Sequence, residues 1–209
     1  MTSAVPAASG YDQTALPGVL RYATMLGVFQ AVCVLLFSLA FRFLDGVLEL
    51  VVGAIIVLVG LVVTTALPGL WTRARTIEGI AGAAGIGLGA TAVYLIIDVA
   101  ALQPLGTYTN RWLEIGGGSN WWYHPIWWMV GTFLAWMGAV IIANTAAKGG
   151  TPSVAAVMIP ALGLSLVIGA LAVLVGFPGA TWGLGTFSVA FLPGLAIAAA
   201  LSALGVRRG

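Results

Sequence analysis

The sequence predicts an all-α integral membrane protein of six transmembrane helices, and three observations carry that prediction. Six apolar stretches of near-spanning length occupy almost all of the 209 residues. Only 7% of residues are charged while 61% are hydrophobic, and the mean hydropathy is +1.09; ordinary soluble domains carry about 25% charged residues. Glycine, with 29 copies, falls within the stretches as well as between them. A hydrocarbon layer of roughly 30 Å takes about 20 helical residues, which places spans at 19–41, 47–68, 79–102, 125–146, 153–176 and 183–206. They form one domain, 19–206, between a short tail (1–18) and a brief C-terminus (207–209). The tail has no basic region ahead of a short apolar core, so the first span is expected to be retained.

Basic residues set the expected orientation. Arg73, Arg75, Lys148, Arg207 and Arg208 fall on one side, and Arg42 and Arg111, with Asp45 and Glu114, on the other. The positive-inside rule then puts both termini in the cytoplasm and the 103–124 connection outside. Engineered cysteines at Ser119 and Thr72 are expected to label from outside and inside respectively. The net charge of +2 is scattered over these loops and makes no case for nucleic acid.

The first span carries Gln30 near its middle and Cys33, the only cysteine, so an intrachain disulfide and a thiolate metal site are both ruled out. The second carries Glu49 near its outer end, with Gly53 and Gly60 on one face. The third is the richest in glycine. Gly85 and Gly89 form a G-x-x-x-G pair, which predicts close helix approach in a tightly packed bundle. Asp98 lies about one turn from its outer end, placed to pair with Arg42 or Arg111 or to reach toward water. Gln30, Glu49 and Asp98 are the polar residues expected within the membrane, where such groups face a partner or a cavity.

The fourth span opens on the most distinctive segment, Trp121-Trp122-Tyr123-His124-Pro125-Ile126-Trp127-Trp128, with Trp112 before it and Trp136 after. Indole and phenol rings gather at membrane interfaces. The same cluster also suits stacking on a ring-bearing ligand or a neighbouring subunit, so Trp112, Trp121, Trp122, Tyr123, His124, Trp127 and Trp128 are the candidate contact residues. His124 is the only histidine, which rules out a multi-histidine metal site within the chain and leaves at most one axial ligand to a haem or chlorin. No cofactor is specified by the sequence.

Pro160 and Pro193 stand near the middle of the fifth and sixth spans, where each removes a backbone hydrogen bond and is expected to kink its helix. Interrupted helices also build midplane sites in transporters. Met25, Gly27, Phe29 and Ala31 recur as Met129, Gly131, Phe133 and Ala135 at a constant offset of 104 residues. Three spans separate the two sets, so an inverted 3+3 repeat is the alternative plan they raise.

Phosphate-loop, zinc-protease and nucleophile-elbow motifs do not occur. Leu70-Trp71-x-Arg73-x-Arg75, Asn110-Arg111-Trp112, Tyr123-x-Pro125-Ile126 and Phe177-Pro178-Gly179 are similar, in order, to segments of the membrane A-subunit of particulate methane and ammonia monooxygenases. The intervals between them differ from that family's, so no membership is assigned. The expected function is a non-catalytic integral subunit of a larger membrane complex. It would contact partner subunits, a second copy, or an aromatic or lipidic ligand through the outer Trp-rich edge. The alternative is a small-solute transporter, or the substrate-binding membrane component of one. The expected location is a prokaryotic cytoplasmic (inner) membrane.

Overall fold

The computed structural model describes residues 15–108 and 123–206. Its helices are α1 (Leu16–Phe43), α2 (Gly46–Trp71), α3 (Ile77–Ile97), α4 (Tyr123–Ala147), α5 (Val154–Leu174) and α6 (Leu184–Ala203). All six are long and apolar enough to cross a membrane, and no strand occurs among the described residues. The largest boundary difference on α2 has a physical reason. The helix runs through Pro68 to Trp71, because a proline this close to a C-terminus forfeits only the bond its N–H would have made to the carbonyl of Thr64.

The interior mixes large apolar side chains such as Phe191, Ile86 and Leu195 with many alanines. Ala66, Ala83, Ala90, Ala135, Ala139 and Ala161 are wholly buried, whereas large side chains such as Val47, Ile159, Met129 and Leu174 project outward. Lipid offers apolar side chains little incentive to hide, so many interior positions go to residues small enough for backbones to meet.

Helix α3 packs along α1 on one side and α4 on the other, and α2 closes a ring by packing on α1 and α4. Helices α5 and α6 form a pair applied to the ring mainly through α6 on α4. The closest approaches use glycine. A Cβ at Gly138 would stand 1.8 Å from the Thr65 carbonyl oxygen, and one at Gly69 would stand 2.8 Å from the Cα of Ala139, locking α2 to α4. On α3, Gly89 faces Ala23 of α1, where a Cβ would come within 2.9 Å, while a Cβ at Gly85 meets only Val19, at an ordinary 3.8 Å. The opposite face of α3 is tighter: at Gly87 a Cβ would lie 2.6 Å from the Gly131 carbonyl oxygen.

The α1–α2 turn needs only Leu44 and Asp45, with Gly46 at φ 63° in the left-handed region. At the other end of α2, Thr72 is buried and its hydroxyl donates to the Pro68 carbonyl, 3.1 Å away. Thr72 is therefore a poor reporter of sidedness. Exposed Arg75 replaces it. In a Cys33→Ala background, a cysteine at position 75 should label from the cytoplasmic side and one at 119 from outside, with the reverse pattern overturning the charge-based orientation.

Pro160 and Pro193 lie inside α5 and α6, and both are exposed on the outer surface of the bundle.

Candidate functional site

The ring of four helices lines a partly open cavity of about 250 Å³. Three helices line it at the i, i+3, i+4, i+7 spacing of a single helical face: Gln30, Cys33, Val34 and Phe37 from α1; Val57, Gly60, Leu61 and Thr64 from α2; Trp127, Val130, Gly131 and Leu134 from α4. Thr91 and Tyr94 of α3 complete it. These positions belong to the C-terminal halves of α1 and α3 and the N-terminal half of α4. The cavity therefore lies toward the end of the bundle that carries the α1–α2 turn, and Gln30, Thr64 and Thr91 form its deepest level. Phe37, Tyr94 and Trp127 lie nearer that end of the bundle.

The lining is largely apolar; besides this floor its polar groups belong to Cys33, Tyr94 and Trp127, and none of the described lining residues carries a charge. Gln30 Nε2 donates to Thr64 Oγ1 over 3.4 Å. Among the described residues Gln30 Oε1 is buried without a hydrogen-bond partner. Leaving such a group unpaired costs about 1–3 kcal/mol. Thr91 Oγ1 instead donates to the Gly87 carbonyl of its own helix at 3.0 Å. It presses so closely on α4 that a Cβ at Gly131 would lie 2.0 Å from that hydroxyl oxygen. The glycine thus opens the floor by admitting Thr91.

The end of the cavity nearer the α1–α2 turn is closely packed. Trp127 meets Tyr94 edge to face, with ring centroids 5.9 Å apart at 68°, and Tyr108 packs against the same cluster. Helix α3 ends in a π-helical turn, Asp98–Leu102, closed by a 2.9 Å bond from the Gln103 N–H to the Asp98 carbonyl. The turn buries the Asp98 side chain to 3% exposure. One carboxylate oxygen accepts from the Tyr108 hydroxyl and the other from Gln103 Nε2 at 2.6 Å. Burial, reinforced by Tyr94 and Asp98, pushes the Tyr108 phenol far above its ordinary pKa, so it stays a neutral donor at physiological pH. The segment after α3 is pinned to α1 as well. Ser38 Oγ donates to the Thr107 carbonyl (2.6 Å), and Arg42 donates to the Gly106 carbonyl (2.6 Å).

The predicted site residues divide accordingly. Gln30 and Trp127, 97 positions apart, are brought together in the cavity. Asp98, outside the lining, ties the end of α3 to Gln103 and Tyr108; it does not reach toward water, being 3% exposed. Glu49 sits half-buried in the first turn of α2, outside the lining. Trp128 turns the other way, 48% exposed, onto an apolar outer groove shared with Met129 and Trp136. Pro160 and Pro193 face away from the cavity. Trp112, Trp121, Trp122 and Arg111 lie outside the described residues, as do the side chains of Tyr123 and His124.

Sequence reasoning missed Thr64 and Thr91. The signal for one of them was present, since Pro68 follows Thr64 by four residues and deprives its carbonyl of the helical donor. No family model, curated protein or solved structure matches the chain.

Proposed function

We propose that the chain is a non-catalytic integral membrane subunit that holds a small, uncharged, lipophilic ligand in the cavity between α1 and α4, toward the outer side of the membrane. The unpaired, buried amide oxygen of Gln30 at the floor of a largely apolar, uncharged cavity carries this reading. Apolar walls with few convergent polar groups are the usual design of a small-molecule site, and the uncharged lining favours a neutral ligand over an ion. Trp128 and Trp136 leave an outward aromatic edge available to lipid or a partner subunit. Transport of a small solute is the second reading, supported by the depth of Gln30 near the middle of α1. It requires the far half of the ring, closed where Gly138 meets Thr65 and Gly69 meets Ala139, to open.

Gly60 provides a test, since it lines the cavity and a Cβ placed there meets nothing within 4 Å. Gly60→Phe should fill the space while leaving helix contacts intact. Protein purified in gentle detergent and extracted for mass spectrometry should yield a bound small molecule from the native chain and none from the variant, with the melting temperature held or raised. Equal recovery of the same molecule from both would remove the cavity as its site.

A further inference from the structure

Building on the cavity reading, we infer that the ligand class is a neutral hydroxylated aromatic, a phenol-type ring whose hydroxyl pairs with Gln30 and whose body fills the apolar walls. Size comes first. An apolar cavity of about 150 Å³ holds a benzene molecule, so about 250 Å³ suits a single ring with a short substituent.

The polar requirement is equally specific. The Gln30 carboxamide has one end engaged by Thr64 and the other unpaired among the described residues. The amide can turn, exchanging its oxygen and nitrogen. In the observed orientation Thr64 accepts and the free end is an acceptor; in the turned one Thr64 donates and the free end is a donor. A hydroxyl is both donor and acceptor, so it satisfies Gln30 either way, which a pure donor or acceptor does not. A carboxylate or ammonium would enter an uncharged lining at a large desolvation cost.

The ring follows from the aromatic end of the cavity. Phe37, Tyr94 and Trp127 lie above the floor, and Trp127 and Tyr94 are already set edge to face, a geometry that extends readily to a third ring. Gln30 is then the specificity-determining residue, separating a phenol from the hydrocarbon of the same shape.

The test is equilibrium dialysis of the full chain in lipid nanodiscs against radiolabelled para-propylphenol, propylbenzene and para-propylanisole, with uptake by empty discs subtracted. Saturable binding at one site per chain is expected, with the phenol about tenfold tighter than propylbenzene, the effect of one satisfied buried hydrogen bond. The anisole, which only accepts, pairs with the turned amide alone and should fall between the phenol and propylbenzene. Gln30→Leu should bind both phenol and hydrocarbon with similar affinity, because it removes the polar partner and keeps the volume. Equal affinity of the native protein for phenol and propylbenzene would overturn the ligand class while leaving a binding cavity. Equal affinity for phenol and anisole would overturn the hydroxyl argument. Saturable binding of none of the three would overturn the inference and the cavity reading together. The native ratio decides the matter even if Gln30→Leu fails to fold.

Discussion

Gly138→Ala should be among the most destabilising single substitutions in the protein, because its new Cβ would stand 1.8 Å from the Thr65 carbonyl oxygen, far inside contact distance. The neighbour is backbone, in a wholly buried stretch of α2, so no side-chain rotation relieves the overlap and the two helices must part. Overpacking a core typically costs 1–3 kcal/mol; a backbone collision should reach about 3 kcal/mol or more. The measurement is the thermal unfolding midpoint of the purified variant beside Gly85→Ala. At Gly85 the added carbon makes an ordinary 3.8 Å contact with Val19, so alanine there should be neutral or stabilise by about 0.5–1 kcal/mol through the unfolded chain's lost freedom. A Gly138→Ala protein as stable as the native one would mean that α2 and α4 do not approach as described.

The second large effect is expected at Asp98. Asp98→Ala removes the acceptor for both the Tyr108 hydroxyl and Gln103 Nε2, a loss of about 2–4 kcal/mol when both bonds are counted. Asp98→Asn should cost much less. Its amide oxygen still accepts from Tyr108, and the Gln103 carboxamide can turn so that its own oxygen accepts from the new NH₂ group. Comparing the two melting temperatures separates hydrogen-bond loss from any need for a carboxylate. Equal, large destabilisation by Asn and Ala would show that the carboxylate itself is required. No change with Ala would show that the π-turn stands without it.

Architecture was legible because lipid imposes one rule on every residue of a span. Twenty apolar residues in a row have few alternatives to a membrane helix, and the spans end where the apolar runs end. Which glycines carry the contacts was not legible. Gly85 and Gly89 share a face that meets Val19 and Ala23 of α1, while Gly87, on the other side of α3, meets Gly131 of α4; spacing identifies faces but not the neighbour each face finds. Gln30 stood out because an amide is rare in a span, and Trp127 only as one member of the tryptophan cluster. Thr64 and Thr91 did not, since threonine is unremarkable in a membrane helix and both gain meaning only once four helices place them beside Gln30. Trp127 and Trp128 show the same limit in adjacent positions, one turned into the cavity and one onto the outer groove. The recurrence of Met25, Gly27, Phe29 and Ala31 at Met129, Gly131, Phe133 and Ala135 also acquires a local physical reading: Gly27 and Gly131 both approach α3, at Ala90 and Val93 and at Thr91 respectively.

The central claim, a ligand-sized cavity between α1 and α4 that small molecules reach, is tested most directly through Cys33, the chain's only cysteine and part of the lining. N-ethylmaleimide is small and uncharged, and its reaction with Cys33 can be followed by mass spectrometry in nanodisc-embedded protein. Cys33 should react in the native protein and be strongly protected in Gly60→Phe, whose ring occupies the space in front of it. Equal labelling rates in the two proteins, or a native Cys33 that stays inert, would contradict the account.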